Sequence, residues 1–238
     1  VSEVAVVSDV ARAAGELFVE ATAGAVAARG RAAVALTGGS SAPPLFAELR
    51  RRQVPWKELE VFFTDERAVP PADPLSNFGL AERELLSNVP VAADRIHRLR
   101  GEAPDLDEEA QRAARELQQT LGTPPRLDLV LLGLGPDGHI LSLFAGVPES
   151  ASRGDSELVR HVAAPEHVEP KVPRLTLTPF LVVTARMVVL QVTGAKKAAV
   201  LARAMKGPED LAACPAQWLR RAAGRVVVVA DPEAASGL

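Results

Sequence analysis

The sequence predicts an α/β protein: a Rossmann-like, mostly parallel sheet with helices on both faces. Three observations predict it. Strand-like apolar runs alternate with amphipathic helical stretches along the chain. The strongest runs, such as Leu129-Val130-Leu131-Leu132, are apolar without alternation, as expected for strands buried on both faces. Small and polar clusters follow directly on several strands, where ligands sit in open parallel sheets.

The elements follow in order. Val4–Val7 reads as a strand, and Val10–Ala28 as a helix with Asp9 as its N-cap. Ala32–Leu36 is a short buried strand, followed by a helix over Pro43–Arg52. Glu60–Phe63 is a strand, Asn77–Leu86 an amphipathic helix, and Ile96–Leu99 a short strand. Leu106–Leu121 is a charged amphipathic helix, and Leu127–Leu132 a strand that is apolar apart from Asp128. Leu158–Ala163 is a weaker strand and Met187–Val192 a strong one. A helix over Ala195–Met205 and a strand over Arg225–Ala230 close the set. No internal repeat or low-complexity linker divides the 238 residues, so one α/β domain over 1–238 is expected.

Composition narrows the function classes. Apolar residues make up 47% and charged residues 24%, an ordinary globular mix. The net charge of −3 gives no basic excess for nucleic acid. The single cysteine, Cys214, excludes an intrachain disulfide. No apolar run reaches the roughly 18 residues of a membrane span. The opening Val1-Ser2-Glu3-Val4 lacks the layout of a signal peptide, and a cytoplasmic protein without membrane contact is expected. The missing initiator Met suggests numbering that begins inside the encoded chain. Only five of 27 basic residues are Lys, in keeping with GC-rich coding, so each Lys draws attention. Histidines stand at 97, 139, 161 and 167.

Four clusters could carry chemistry. Thr37-Gly38-Gly39-Ser40-Ser41 lies between a strand and a helix. Its glycines and serines could cradle an anion at the helix N-terminus, or form an ordinary capped turn. It is neither a P-loop nor a nucleophile elbow. Gly133-Leu134-Gly135-Pro136-Asp137-Gly138 matches the dinucleotide fingerprint. However, Gly146 and Pro148 stop the helix which that motif must open, and Pro136 removes a donor. The turn instead sets Asp137 beside His139, a carboxylate and a general base, unless the His merely caps the next turn. In Thr64-Asp65-Glu66-Arg67, Asp65 can take sugar hydroxyls and Arg67 can grip phosphate, or the triplet is a solvated loop. Lys171, Arg174, Lys196 and Lys197 form a basic set, either anion-binding or surface charge. His161 and His167 flank Pro165 without metal-ligand spacing, and Cys214 has no partner, so no metal is expected. His97, Trp56 and Trp218 read as structural.

Together these pieces resemble the glucosamine-6-phosphate isomerase/6-phosphogluconolactonase family, and the lactonases within it. The resemblance is carried by Leu36–Ser41, Phe63–Pro70, Asp73–Asn77, Leu132–Phe144, Pro170–Thr178 and Val192–Lys197, in family order over about residues 30 to 205. It implies hydrolysis of 6-phospho-D-glucono-1,5-lactone in the oxidative pentose phosphate pathway, with no metal or organic cofactor. It implies His139 as catalytic base, and Arg67, Lys197 and the Gly39-Ser40 turn as substrate and phosphate contacts. Asp65 and Asp137 match acidic site positions. The chain departs from the family at Ser41 (commonly Thr), Ile140-Leu141 (commonly small residues) and Val172 (commonly Pro).

The expected site is then His139 and Asp137 for catalysis, with Gly38, Gly39, Ser40, Ser41, Asp65, Arg67, Lys171, Arg174 and Lys197 for substrate. Arg174 is the expected partner of the developing oxyanion. The partner is a small sugar-phosphate lactone, and a monomer or weak homodimer is expected. Family deaminases carry a Glu soon after the His and read Asp-Glu-Tyr at the second cluster. Here no carboxylate follows His139 until Glu149, and Arg67 takes the Tyr position. A deaminase or isomerase, and a non-catalytic sugar-phosphate sensor, are the alternatives.

Overall fold

The computed structural model describes residues 2–155 and 157–238. Strand β1 (Ser2–Val6) leads to α1 (Val10–Arg29), then β2 (Ala32–Leu36) and α2 (Ala42–Leu49). Strands β3 (Leu59–Phe63) and β4 (Asp65–Arg67) are followed by α3 (Asn77–Glu84), β5 (Ile96–His97) and α4 (Leu106–Leu121). Strands β6 (Leu129–Gly133), β7 (Val159–Val162) and β8 (Arg174–Leu177) precede α5 (Pro179–Thr184). The chain ends with β9 (Met187–Val192), α6 (Ala198–Lys206) and β10 (Arg225–Ala230).

Seven strands form one parallel sheet in the order β1-β10-β9-β6-β2-β3-β5. After β2 the chain builds outward through β3 and β5. After β6 it builds the other way through β9 and β10. The β2/β6 boundary is therefore the topological switch point, and a crevice opens beyond the carboxyl ends of those strands. Burial explains the apolar runs: every residue of β2 and β9 is buried. Helix α1 packs across β2, β6, β9 and β10, with α2 against it.

Local chemistry sets the helix ends. Asp9 accepts the Arg12 N–H at 2.9 Å, and Gly30 closes α1 in the left-handed region with its N–H on the Val26 carbonyl. Asp105 caps α4 through the N–H groups of Asp107 and Glu108. Asp128 ties the base of the sheet: it accepts the Ala33 N–H and pairs with Arg29 and Arg186.

Three expectations change. Asp65–Arg67, which reads as a loop, is a strand that pairs antiparallel with β8. Together with β7 it forms a second, three-stranded sheet. Its short polar sequence carries no apolar period, so only the partner strand reveals it. The last long helix starts at Ala198, because Ala195–Lys197 is a 3-10 turn. The third helix stops at Glu84, before a 3-10 turn at Leu86–Asn88.

Candidate active site

A cleft of about 350 Å³ lies at the switch point, beyond β2, β6 and β9. Residues from each of the four expected clusters converge on it. Thr37–Ser41, Asp65 and Arg67, the Gly133–His139 turn, and Lys197 all contribute to its wall. Gly39 turns the chain with φ of +74°, a conformation that L side chains rarely adopt.

The Gly133–His139 turn opens no helix. It folds back on itself, with the Gly135 N–H on the His139 carbonyl at 2.8 Å. Gly135 is required by contact: a Cβ there would stand 2.1 Å from His139 Nδ1. His139 Nδ1 donates to Asp137 Oδ1 at 2.6 Å, and the same oxygen accepts the His139 N–H at 3.2 Å. With Nδ1 holding the proton, Nε2 is the basic nitrogen. Phe144 meets the ring edge-on at 5.3 Å between centroids. Burial opposes ionisation of Asp137, but the His139 hydrogen bond and charge outweigh it and hold the carboxyl far below the ordinary range. Lys197 donates to the Leu134 carbonyl at 2.7 Å. Burial lowers its ammonium pKa, against the attraction of Asp137.

The second wall is a polar lattice. Asp65 accepts from Ser142 Oγ at 2.7 Å, Thr64 Oγ1 at 3.1 Å and Asn77 Nδ2 at 3.3 Å. Arg67 donates to the Leu75 carbonyl at 2.6 Å. Glu66, between them, faces the other way. It accepts the N–H groups of Arg67, Asn77 and Phe78 and the Ser76 hydroxyl, so it anchors the start of α3. Burial pushes its pKa up against those four bonds. Leu141 lines the cleft at φ +56°, alone among the described non-glycine residues in the left-handed region. This strain delivers Ser142 to Asp65 and Thr176.

The profile of the family described as Glucosamine-6-phosphate isomerases/6-phosphogluconolactonase matches residues 6–228. This chain belongs to that family. A 6-phosphogluconolactonase from Synechocystis sp. is 35% identical over 218 residues, covering 90% of this chain and 88% of that protein. One from Caulobacter vibrioides is 38% identical over 195 residues, covering 81% and 82%. The solved 6-phosphogluconolactonase from Trypanosoma cruzi superposes with a TM-score of 0.90 at 27% identity, covering 100% of this chain and 97% of that one.

Two residues expected from the basic cluster lie off the cleft wall. Lys171 is half exposed and paired with Glu166 at 3.2 Å, away from the cleft wall. Arg174 is 3% exposed behind Arg67, its β-sheet partner, and donates to the Pro170 carbonyl at 2.9 Å. Burial, reinforced by the Arg67 charge, pushes its pKa down to about 10. Arg174 is therefore absent from the cleft wall, where Arg67 and Lys197 are the lining cations among the described residues. Lys196 is likewise absent from the wall.

Asn77, Glu169 and Gln191 line the cleft although sequence reasoning passed over them. Asn77 reads as the first residue of a helix, and Ser76 caps that helix, α3. The Asn77 side chain packs against Gly38, and its buried Oδ1 has no hydrogen-bond partner among the described residues. Gln191 Nε2 is likewise buried and unpartnered. A lone Gln in an otherwise apolar strand was the available signal. Among the described residues, no group of three or more His, Cys, Asp or Glu is placed to hold a metal ion, and no helix is long and apolar enough to cross a membrane.

Proposed function

We propose that this protein hydrolyses 6-phospho-D-glucono-1,5-lactone to 6-phosphogluconate, with His139 activating water. The observation that carries the mechanism is the Asp137–His139 pair at 2.6 Å, opening on a cleft that also presents Arg67 and Lys197. The phosphate docks between the Gly39–Ser41 turn, Arg67 and Lys197. Sugar hydroxyls bond to Asp65 and take up the free capacity of Asn77 Oδ1 and Gln191 Nε2, whose lack of a partner among the described residues favours such a ligand.

His139 Nε2 takes a proton from water as its oxygen bonds to the lactone carbonyl carbon. The carbonyl electron pair moves onto oxygen beside the cleft's cations. When the tetrahedral species collapses, the bond to the ring oxygen breaks and His139 returns the proton to that oxygen. Asp137 stabilises the imidazolium between the two steps. The carboxylic acid product then ionises in water.

Family membership alone leaves deaminase chemistry open, but the seven residues after His139 hold no carboxylate to assist it. A pH-stat time course with fresh lactone, corrected for spontaneous hydrolysis, tests the reading. His139→Asn is expected to lower kcat by about 10²–10⁴-fold while still binding 6-phosphogluconate. Full kcat in that variant overturns the assignment of the base. Ammonia release from glucosamine 6-phosphate by the wild-type protein would identify a deaminase.

A further inference from the structure

Asp137 has two carboxylate oxygens, and only one is engaged by His139. Oδ1 takes both the ring and backbone N–H of His139. Oδ2 is buried and has no hydrogen-bond partner among the described residues. A carboxylate oxygen in that condition calls for a donor. The group facing it is His167, with Nε2 3.4 Å away, too poorly aligned for a hydrogen bond and close enough for an ion pair.

His167 belongs to the segment over residues 163–173, which joins β7 to β8 and sends Glu169 into the cleft wall. Internal bonds give this segment shape: Val168 N–H to the Pro165 carbonyl, Val172 N–H to the Pro170 carbonyl, and Lys171 to Glu166. The His167–Asp137 contact connects it directly to the catalytic turn. His167 is 52% exposed in its side chain, so its ring can exchange protons with solvent.

We propose that His167 is a positioning residue: through the second oxygen of Asp137 it tunes how strongly that carboxylate supports His139, and it ties the 163–173 segment to the cleft. The inference rests on the base assignment made above. Two imidazoles share one carboxylate. When His167 carries a proton, part of the Asp137 charge is committed to it, and His139 binds its own proton less tightly. Neutral His139 then persists to lower pH, which extends the range in which it can accept a proton from water. Other charged groups bear on the trio. Lys197 adds positive charge beside Asp137, Asp65 and Arg67 of β4 line the same cleft, and Glu169 and Glu166 lie on the His167 segment itself.

Histidine-ring NMR of the ligand-free protein, together with the pH profile of kcat/KM, tests this. His167→Gln is expected to move the His139 titration, and the acid limb of the profile, upward by a few tenths of a pH unit. That is the scale of a single charge acting through a partly solvated site. His167→Lys keeps a cation there and should restore the limb toward wild type. By reciprocity, His139→Asn should raise the His167 titration by a similar amount. In an Asp137→Asn background, where no carboxylate is shared, His167→Gln should move the His139 titration less. A structural role alone would change KM or stability and leave the limb in place. An unmoved His139 titration in folded His167→Gln overturns the inference. The ring titrations are read without turnover, so they remain decisive even if the wild-type protein fails to hydrolyse the lactone.

Discussion

At the scale of single residues, Lys197 shows how a side chain can be prepared for a dianion. Its ammonium is bonded to the Leu134 carbonyl, half-desolvated, and drawn by Asp137. Desolvation lowers its pKa, and in the proposed docking an arriving phosphate compensates for the lost water. A charge-assisted hydrogen bond of this kind contributes about 1.5–3 kcal/mol, or roughly 10–150-fold in affinity. Lys197→Met is therefore expected to raise KM for the lactone and the inhibition constant of 6-phosphogluconate by about that factor. kcat should change less, since binding to the unreactive phosphate is shared by ground and transition states. Steady-state kinetics with product inhibition reads both quantities. A large fall in kcat at unchanged KM would instead place Lys197 at the reacting carbonyl.

At the scale of elements, the site depends on turns more than on strands. The Gly133–His139 turn holds the imidazole against a backbone position that has no room for a methyl group. Gly135→Ala would push the ring off its line to Asp137, and a displacement of about 1 Å at a catalytic group can cost about 10²-fold in rate. A kcat loss of that order is expected, with circular dichroism and cooperative unfolding preserved. Wild-type kcat in this variant would show that the turn yields freely. The sequence makes this element legible because small residues, a proline and an Asp-Gly-His triplet follow an apolar strand. The strands themselves are legible from unbroken apolar runs, with β2 and β9 at the expected bounds. The second sheet is not legible, because β4 is three polar residues that become a strand only against β8. The same pairing sets Arg174 beside Arg67 on one face of that sheet, yet Arg174 is buried and outside the cleft wall. Its alternation cannot be read from the sequence without knowing that Arg67 lies beside it. Asn77 and Gln191 escape for a related reason. Their roles depend on what is left unpaired after folding, which no local pattern records.

At the scale of the whole molecule, the far edge of the parallel sheet is held by charge as well as by apolar contact. His97 on β5 stacks on Phe62 of β3 with ring centroids 4.4 Å apart. Its Nε2 faces Glu60 at 2.9 Å and its Nδ1 faces Glu116 of α4 at 3.0 Å. Only the imidazolium can donate to both carboxylates at once. Burial alone would lower the His97 pKa, but the bonds to Glu116 and Glu60 outweigh it and hold it above the usual value. The His97 hydrogen bond, assisted by Arg112 and opposed by burial, brings Glu116 down to about 2. These shifts fix the sign of the pH dependence. His97 contributes its stability in full below its unfolded value of 6.5, and that contribution fades as pH rises through the higher folded value. Glu116 contributes in full above its unfolded value of 4.5, and its contribution fades as pH falls toward 2. Their joint support is therefore greatest between about pH 4.5 and 6.5. His97→Gln can engage one carboxylate but not both as a cation. It is expected to lower stability by about 1–3 kcal/mol at pH 5.5 and to flatten the decline expected of the wild-type protein as pH rises above 6.5. Urea unfolding midpoints across that range measure both effects, and parallel curves for the two proteins would show that His97 does not titrate with folding. Because the triad does not line the cleft, lactone turnover per folded molecule should be the same in both.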